Sequence, residues 1–201
     1  MAGEDNDVVE ELAHGIYVCL MKKNWSDLKR EISGFSKVQL LGLVQDLYRS
    51  NERNREFLHA RFLAEDNGAD LTPYKKRIEA ALLPKYWDGP MHLGPIGYGE
   101  ARRAISDYKK ARGALPELLE LMLYYVQCGH GIAREYGDMD ERFYRSMGSM
   151  FGSIVSKLIS SEEADLIAAW LPLLEREAHR VRKFGWGYDE ELQHHLSKLL
   201  K

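Results

Sequence analysis

The stretch LPELLELMLYYVQCGHGIAREYGDMDERFYRSMGSMFGSIVSKLIS, residues 115–160, decides the fold class. Its apolar residues recur every three or four positions, which is the period of a helix with one buried face. Proline at position 116 suits a first helical turn, where its missing N–H costs nothing. We predict a long helix from Leu115, buried on most sides, and a second helix from Asp140 to about Ile159. The residues expected on their buried faces are Leu118, Met122, Tyr125, Val126, Gly129, Ile132, Ala133 and Tyr136 in the first, and Phe143, Met147, Met150, Phe151, Ile154, Val155 and Leu158 in the second.

A cluster of carboxylates, Asp138, Asp140 and Glu141, separates these two helices. A calcium loop would need an oxygen ligand and a glycine at the fifth and sixth positions, where this chain has arginine and phenylalanine. Gly137 instead suits the end of a helix, and Asp138-x-x-Glu141 has the spacing of a helix cap. We interpret the segment as a helix corner. Asp140, which that cap does not require, is kept as an interaction candidate.

Gly148 and Gly152 lie four positions apart inside the second helix. Each glycine costs roughly 1 kcal/mol of helix propensity relative to alanine. We expect the compensation to be close approach by another helix, either of the same chain or of a second copy.

The rest of the chain also favours helices. Ser36 with Gln39 and Ser160 with Glu163 have capping-box spacing, and Thr72-Pro73 is typical of a helix start. The helix after Ser160 contains a proline at position 172, where we expect a kink or a break. A first helix is predicted over residues 7–23. Its expected apolar face comprises Val8, Leu12, Ile16 and Leu20, and the buried face expected after Ser36 comprises Val38, Leu41, Leu43, Val44 and Leu47.

These patterns predict an all-α protein of about eight helices in an irregular array or bundle, with little or no sheet. Residues 1–6 are predicted to be disordered, and residues 7–201 to form a single helical domain. Within it, an N-terminal half over 7–83 and a C-terminal half over 98–201 flank an irregular loop over 84–97, which contains three prolines and three glycines.

Composition narrows the class of protein. The net charge of −3 gives no global attraction to nucleic acid or anionic membrane. The acidic start is unlike a secretory signal, and the longest apolar run is too short to span a bilayer. Two cysteines do not form a disulfide scaffold. We therefore expect a cytoplasmic protein without membrane association.

The middle of the chain is basic although both ends are acidic. Residues 71–112 contain nine Lys or Arg against four Asp or Glu, a net charge of +5. Interleaved aromatic residues would allow stacking on bases. The alternatives are a solvated helix face or a patch that pairs with the protein's own acidic ends. The polyanion-binding candidates are Lys75, Lys76, Arg77, Lys85, Arg102, Arg103, Lys109, Lys110 and Arg112.

Three aromatic residues complete the interaction candidates: Trp87 in the irregular loop, Trp186 between two glycines, and Tyr188 after them. A tryptophan fixed in such a turn is either a packing anchor or a recognition residue. Glu175 and His179, four apart on a helix, would need His194 or His195 as a third metal ligand.

Four segments in this order resemble a family of small bacterial helical proteins of unknown function. The resemblance covers roughly residues 32–200 and rests on SKVQLLGLVQDLYRSNERNREFLHARF, ARRAISDYKKARGALPELLELMLYYV, EYGDMDERFYRSMGSMF and FGWGYDEEL. It implies a bacterial, cytosolic, all-helical domain, and it brings no activity, cofactor or catalytic residue.

No hydrolase, nucleotide-binding or zinc-protease motif is present, so the sequence does not favour an enzyme. It predicts no cofactor, no bound metal and no catalytic residue. The leading prediction is a non-enzymatic interaction or scaffold module with a protein partner. A nucleic-acid or other polyanion-binding module is the first alternative, and a metal-dependent enzyme is the second. Homo-oligomerisation is left open.

Overall fold

The structure, a computed structural model, describes residues 24–65, 68–85, 94–137, 139–181 and 184–200. The prediction of an all-α protein is confirmed: over these residues the chain is 77% helical, with nine helices and no strand. The segment 1–6, the predicted helix over 7–23, and Trp87 lie outside them. The nine helices are α1 (Trp25–Ile32), α2 (Lys37–Ser50), α3 (Glu52–Phe62), α4 (Thr72–Leu82), α5 (Tyr98–Ala111), α6 (Leu115–Tyr136), α7 (Glu141–Ser161), α8 (Ala164–His179) and α9 (Tyr188–Leu196).

The chain divides into two compact units, Met1–Asn51 and Glu52–Lys201. In the larger unit α6 packs against α4, α5 and α7, and α7 also packs against α8 and α9. Helices α4 and α5, which flank the irregular segment 84–97, pack directly on each other.

The predicted faces of α6 and α7 form the core of the larger unit. All the residues expected on the face of α7 are buried, as are those of α6 except Tyr136, which is partly buried. The close approach expected at Gly148 and Gly152 comes from α9 of the same chain. A Cβ at Gly148 would collide with Glu191, and one at Gly152 would collide with the His195 ring.

The corner between α6 and α7 is a helix corner, but its cap differs from the predicted one. Gly137 ends α6 with a positive φ of 92°, which favours glycine. Asp140 is the N-cap of α7, and its side chain accepts a hydrogen bond of 2.8 Å from the Phe143 N–H. The interaction candidate Asp140 therefore has a structural role, and Asp138 lies outside the described residues.

Two other helix boundaries also correct the sequence predictions. The capping box expected at Ser160 and Glu163 is wrong, because α7 continues through Ser161 and ends at Glu162, whose φ of 56° is left-handed. Of the two outcomes predicted at Pro172, the break is wrong, since α8 is continuous from Ala164 to His179, and the kink stays a prediction. Ser36 and Gln39 do form the expected capping box at the start of α2.

In the smaller unit, the buried face predicted for α2 is wrong. No residue of α1 or α2 is buried. Val38 is 78% exposed, Leu41 60% and Val44 44%, while Leu43 is half-buried. Helical spacing of apolar residues shows which face of a helix is apolar. It does not show whether another helix packs on that face.

Candidate protein-interaction surface

The largest concentration of exposed apolar side chains lies on α1, α2 and the turn between them. Nine of the sixteen large hydrophobic residues exposed in the described part of the chain fall within residues 25–48. Single exposed hydrophobics are normal on protein surfaces, whereas a concentration of them marks a candidate interaction site. We call this cluster the α1–α2 surface and define it by Trp25, Leu28, Phe35, Val38, Leu40, Leu41 and Val44.

Both helices of the α1–α2 surface are stabilised by their own caps. The Asn24 side chain accepts from the N–H of Ser26, and the Asp27 carboxylate accepts from the Asn24 N–H in return, at 3.0 Å. At α2, Ser36 and Gln39 exchange the equivalent bonds. Such caps contribute about 1 kcal/mol each. They fix the residue at which each helix begins, and therefore which residues share its apolar face.

The basic candidates fall into two groups, and the first group is paired with the protein's own acids. Arg77 donates to Glu56 Oε2 at 2.9 Å and to Asp107 Oδ2 at 2.7 Å, and its side chain is only 17% exposed. Lys75 donates to Glu120 at 2.5 Å. In the same way Arg112 lies 3.3 Å from Glu117. For these three side chains the structure matches the alternative of internal pairing.

Arg102 is also committed within the fold. Its guanidinium donates to the Ser146 carbonyl at 2.9 Å and lies over the Tyr125 ring, 5.5 Å from the centroid. Tyr74, one of the aromatic residues expected to stack on bases, is buried, and its hydroxyl donates to the Glu56 carbonyl. Buried rings do not offer a stacking platform.

The second group of basic candidates is exposed: Lys76, Lys85, Arg103, Lys109 and Lys110. Arg103 and Lys110 lie seven residues apart on α5, two turns along one face. Glu100 lies 3.8 Å from the Arg103 guanidinium and reduces the charge of that face. Of the exposed basic candidates, only Arg103, Lys109 and Lys110 lie on α5, so the shared face available to an anion there is a short strip.

Trp186 and Tyr188, in and after the turn before α9, have different environments. Trp186 has a φ of 63°, which is unfavourable for a side chain of its size. Its indole N–H donates to the Met139 carbonyl at 3.0 Å, while 63% of the residue stays exposed. Trp186 is thus a packing anchor with an exposed ring. Tyr188 is fully buried and has no exposed surface for a partner.

Tyr188 belongs to a buried polar network that the sequence analysis missed. The two ring nitrogens of His130 contact Glu177 Oε1 and the Tyr188 hydroxyl, each at 2.6 Å. His130 is 0% exposed and Glu177 2%. The network joins α6, α8 and α9. Its signal in the sequence is that His130 follows Val126 by four residues on the buried face of α6, since a buried histidine requires polar partners.

The pKa shifts of His130 and Glu177 indicate where the protons of this network lie. Burial lowers the pKa of His130, although the hydrogen bond to Glu177 opposes the shift. Burial acts to raise the pKa of Glu177, but the hydrogen bond from His130 and the charges of Arg180 and Arg134 hold it below its usual range. His130 is therefore neutral: its Nδ1–H donates to the Glu177 carboxylate, and its Nε2 accepts from Tyr188. With every group satisfied and buried, the network stabilises the fold and offers no site to a substrate.

The described residues do not form a recognisable metal site or an activated cysteine. No group of three His, Cys, Asp or Glu side chains there could hold a metal ion, and this includes Glu175 with His179 and either His194 or His195. Cys128 is half-buried, and burial raises the pKa of its thiol to about 11. It is therefore a protonated thiol near neutral pH rather than an activated nucleophile.

Comparison of the chain with protein-family models, with curated proteins and with solved structures returned no match in any of the three. The resemblance to a family of bacterial helical proteins stays a prediction. Among the described helices, none is both long enough and apolar enough to cross a bilayer. Within the described residues, the side chains define a class: an all-α protein that exposes a concentration of apolar side chains on two capped helices.

Proposed function

We propose that this chain is a non-enzymatic protein-interaction module of the cytoplasm, and that its α1–α2 surface binds an amphipathic helix of a partner protein. The observation that carries the proposal is the concentration of exposed apolar side chains on two helices whose N-termini are independently capped. A helix that lays its apolar face on such a surface is a recurrent mode of recognition.

The apolar area is large enough to matter energetically. Complete burial of a leucine or valine side chain contributes about 1.5–3 kcal/mol. Leu28, Val38, Leu41 and Val44 are each about half exposed or more. A partner that covers the exposed half of these four side chains therefore gains roughly 3–6 kcal/mol before the costs of association. Polar contacts at the rim would add specificity.

Affinity purification of variants tests the proposal. The tagged full chain is purified from its source cells as wild type, as Val38→Asp with Leu41→Asp, and as the control Asp46→Lys. Asp46 is exposed and lies on the polar face of α2, away from Leu41 and Val44. We expect the wild type and the control to retain one protein that the double variant loses. Once purified, that protein should bind the wild type and the control but not the double variant. Equal retention by all three variants would contradict the proposal.

Polyanion binding is the second candidate function, supported by the shared exposed face of Arg103 and Lys110 on α5. Titration with mixed RNA and DNA oligonucleotides over a salt series tests it, because phosphate contacts make affinity fall steeply with salt. Charge reversal, Arg103→Glu with Lys110→Glu, should abolish the binding. Unchanged affinity in that variant would remove this candidate.

A further inference from the structure

A cavity of about 280 Å³, which we call the α3–α4 cavity, lies in the larger unit between one face of α3 and the first turn of α4. The α3 residues that line it recur at helical spacing: Glu52, Arg55, Glu56, His59 and Ala60. Ala60 and Tyr74 are buried at its base, while Leu63 and Asp70 are exposed at its rim. Pockets for drug-sized ligands measure about 300–1,000 Å³, so this cavity suits a smaller molecule.

The charged side chains of α3 in this cavity are not all neutralised within the protein. The Glu56 carboxylate is held by the Arg77 guanidinium at 2.9 Å. Arg55 is half-buried, yet within the described residues its guanidinium makes no hydrogen bond and no ion pair. The exposed carboxylate of Glu52 has no such partner there either. Because a guanidinium presents two parallel N–H groups, Arg55 offers a bidentate site to a carboxylate.

Asp70 supplies a second available carboxylate from the α4 side of the cavity. It accepts a hydrogen bond of 2.9 Å from the Thr72 N–H, and its hydrogen bonds with Thr72 lower its pKa. Asp70 is therefore ionised at neutral pH. A carboxylate has about four lone-pair sites, so Asp70 keeps acceptor capacity after the bond from Thr72. One cation and two carboxylates thus line a cavity whose base is apolar.

A ligand with a single charge, or with none, matches this lining poorly. A simple anion would meet the carboxylates of Glu52 and Asp70, and a simple cation would meet Arg55. No group of described residues could supply three ligands to a metal ion. An uncharged apolar molecule would displace water from these charged groups without replacing its hydrogen bonds. A zwitterion with a short apolar side chain satisfies both signs of charge and the apolar base.

We propose that the α3–α4 cavity binds a free α-amino acid with an apolar side chain. Arg55 donates to the carboxylate of the amino acid, and Glu52 and Asp70 accept from its ammonium group. The side chain of the amino acid lies against Ala60 and Leu63. The cavity lies outside the α1–α2 surface, so this inference goes beyond the function proposed above and does not depend on it.

Titration of the full chain with L-leucine and with L-phenylalanine, followed by amide NMR spectra, tests the proposal. We expect at least one of the two to bind with a Kd of about 1 mM or tighter, and to shift amides of α3 and of the first turn of α4. Each amino acid is compared with two analogues of the same side chain. The analogues 4-methylpentanoate and 3-phenylpropanoate lack the ammonium group, and 3-methylbutylamine and 2-phenylethylamine lack the carboxylate. All four should bind at least about tenfold more weakly, because each leaves one sign of charge in the cavity without a partner.

Variants assign the two halves of the ligand. Arg55→Gln should weaken binding of the amino acid at least about tenfold, whereas the control Arg176→Gln, which removes the same charge from α8, should not. Asp70→Asn with Glu52→Gln should weaken it similarly, although the asparagine still accepts from the Thr72 N–H. Circular dichroism verifies that each variant is folded.

Three outcomes would overturn the inference. One is that neither amino acid binds at millimolar concentration, and another is that folded Arg55→Gln binds as tightly as the wild type. The third is that an analogue without the ammonium group or without the carboxylate binds as tightly as its parent amino acid. None of these outcomes bears on the α1–α2 surface, which the affinity purification tests separately.

Discussion

Removal of one hydroxyl from the buried His130–Glu177–Tyr188 network should measurably destabilise the larger unit. Tyr188→Phe keeps the aromatic ring in the core and deletes only the group that donates to His130 Nε2 at 2.6 Å. The nitrogen lone pair is then left without a donor in a position with 0% exposure. An unsatisfied buried polar group of this kind costs about 1–3 kcal/mol. We expect the free energy of unfolding to fall by that amount.

Urea denaturation followed by circular dichroism measures the change, provided that the slope of the transition is unchanged. Tyr98→Phe is the matched control, since Tyr98 is only partly buried and has no role in the network; it should cost less than about 0.5 kcal/mol. Equal stability of Tyr188→Phe and wild type would show that the hydroxyl does not satisfy His130, and the assignment of protons in the network would be wrong.

The same network fixes the sign of the pH dependence. The pKa of His130 is lowered in the folded chain, so below about pH 6.5 the unfolded chain binds a proton that the folded chain does not. Stability should therefore fall with acidification, by up to about 1.4 kcal/mol per pH unit from this residue. The lowered pKa of Glu177 acts in the same direction at lower pH, because its contribution is lost as pH falls through the folded value. His130→Gln should flatten the slope between pH 6.5 and 5, whereas the exposed control His179→Gln should not.

Three further perturbations test the packing and the helix ends. Gly129→Ala would drive a methyl group into a buried methionine, whereas the matched Gly131→Ala has open space and should gain up to about 1 kcal/mol. In thermal unfolding, the Gly129→Ala variant should therefore be about 1–3 kcal/mol less stable than the Gly131→Ala variant. Equal stabilities of the two variants would contradict the packing around Gly129. Asp140→Ala should cost about 1 kcal/mol in urea denaturation through loss of its cap, and Asp140→Asn much less; an unaffected alanine variant would contradict the cap. In a Cys19→Ser background, Cys128 should react with iodoacetamide at pH 8 much more slowly than a free thiol, because its pKa is about 11; reaction at the free-thiol rate would contradict its burial.

The helices and the core could be predicted because the relevant signals are local. Leu118, Met122 and Val126 on α6, and Phe143 and Met147 on α7, follow the helical period and are buried. Neighbouring positions along one chain carry this information, so no knowledge of the tertiary structure is needed. Close approach of a helix at the glycines of α7 followed from their helix-propensity cost, although the identity of the approaching helix did not.

The interaction surface could not be predicted in the same way. Val38, Leu41 and Val44 have the same spacing as the core residues of α7, yet they are exposed. Whether an amphipathic face is buried depends on a neighbour that is distant in sequence or belongs to another molecule, and local spacing does not record it. Charge counting had a similar limit, because Arg77 is basic in the sequence but is neutralised by Glu56 and Asp107 in the fold.

The buried network escaped detection because its members are far apart in the chain. His130 and Glu177 are separated by 47 residues, and His130 and Tyr188 by 58. They meet only in the fold, where side chains of α8 and α9 reach His130 on α6. The one available signal was His130, a polar residue on a predicted buried face. Such a residue indicates that a polar partner exists but not which residue it is.

Site-specific photo-cross-linking in cells tests the interaction surface most directly. A photoreactive residue replaces Leu41 on the apolar face of α2 or, as the control, Asp46 on its polar face, in the full chain. We expect position 41 to capture one defined protein, position 46 to capture none, and the capture to be lost when Val44→Asp is added. Equal capture from both positions, or none from position 41, would contradict a role of the α1–α2 surface in binding a partner.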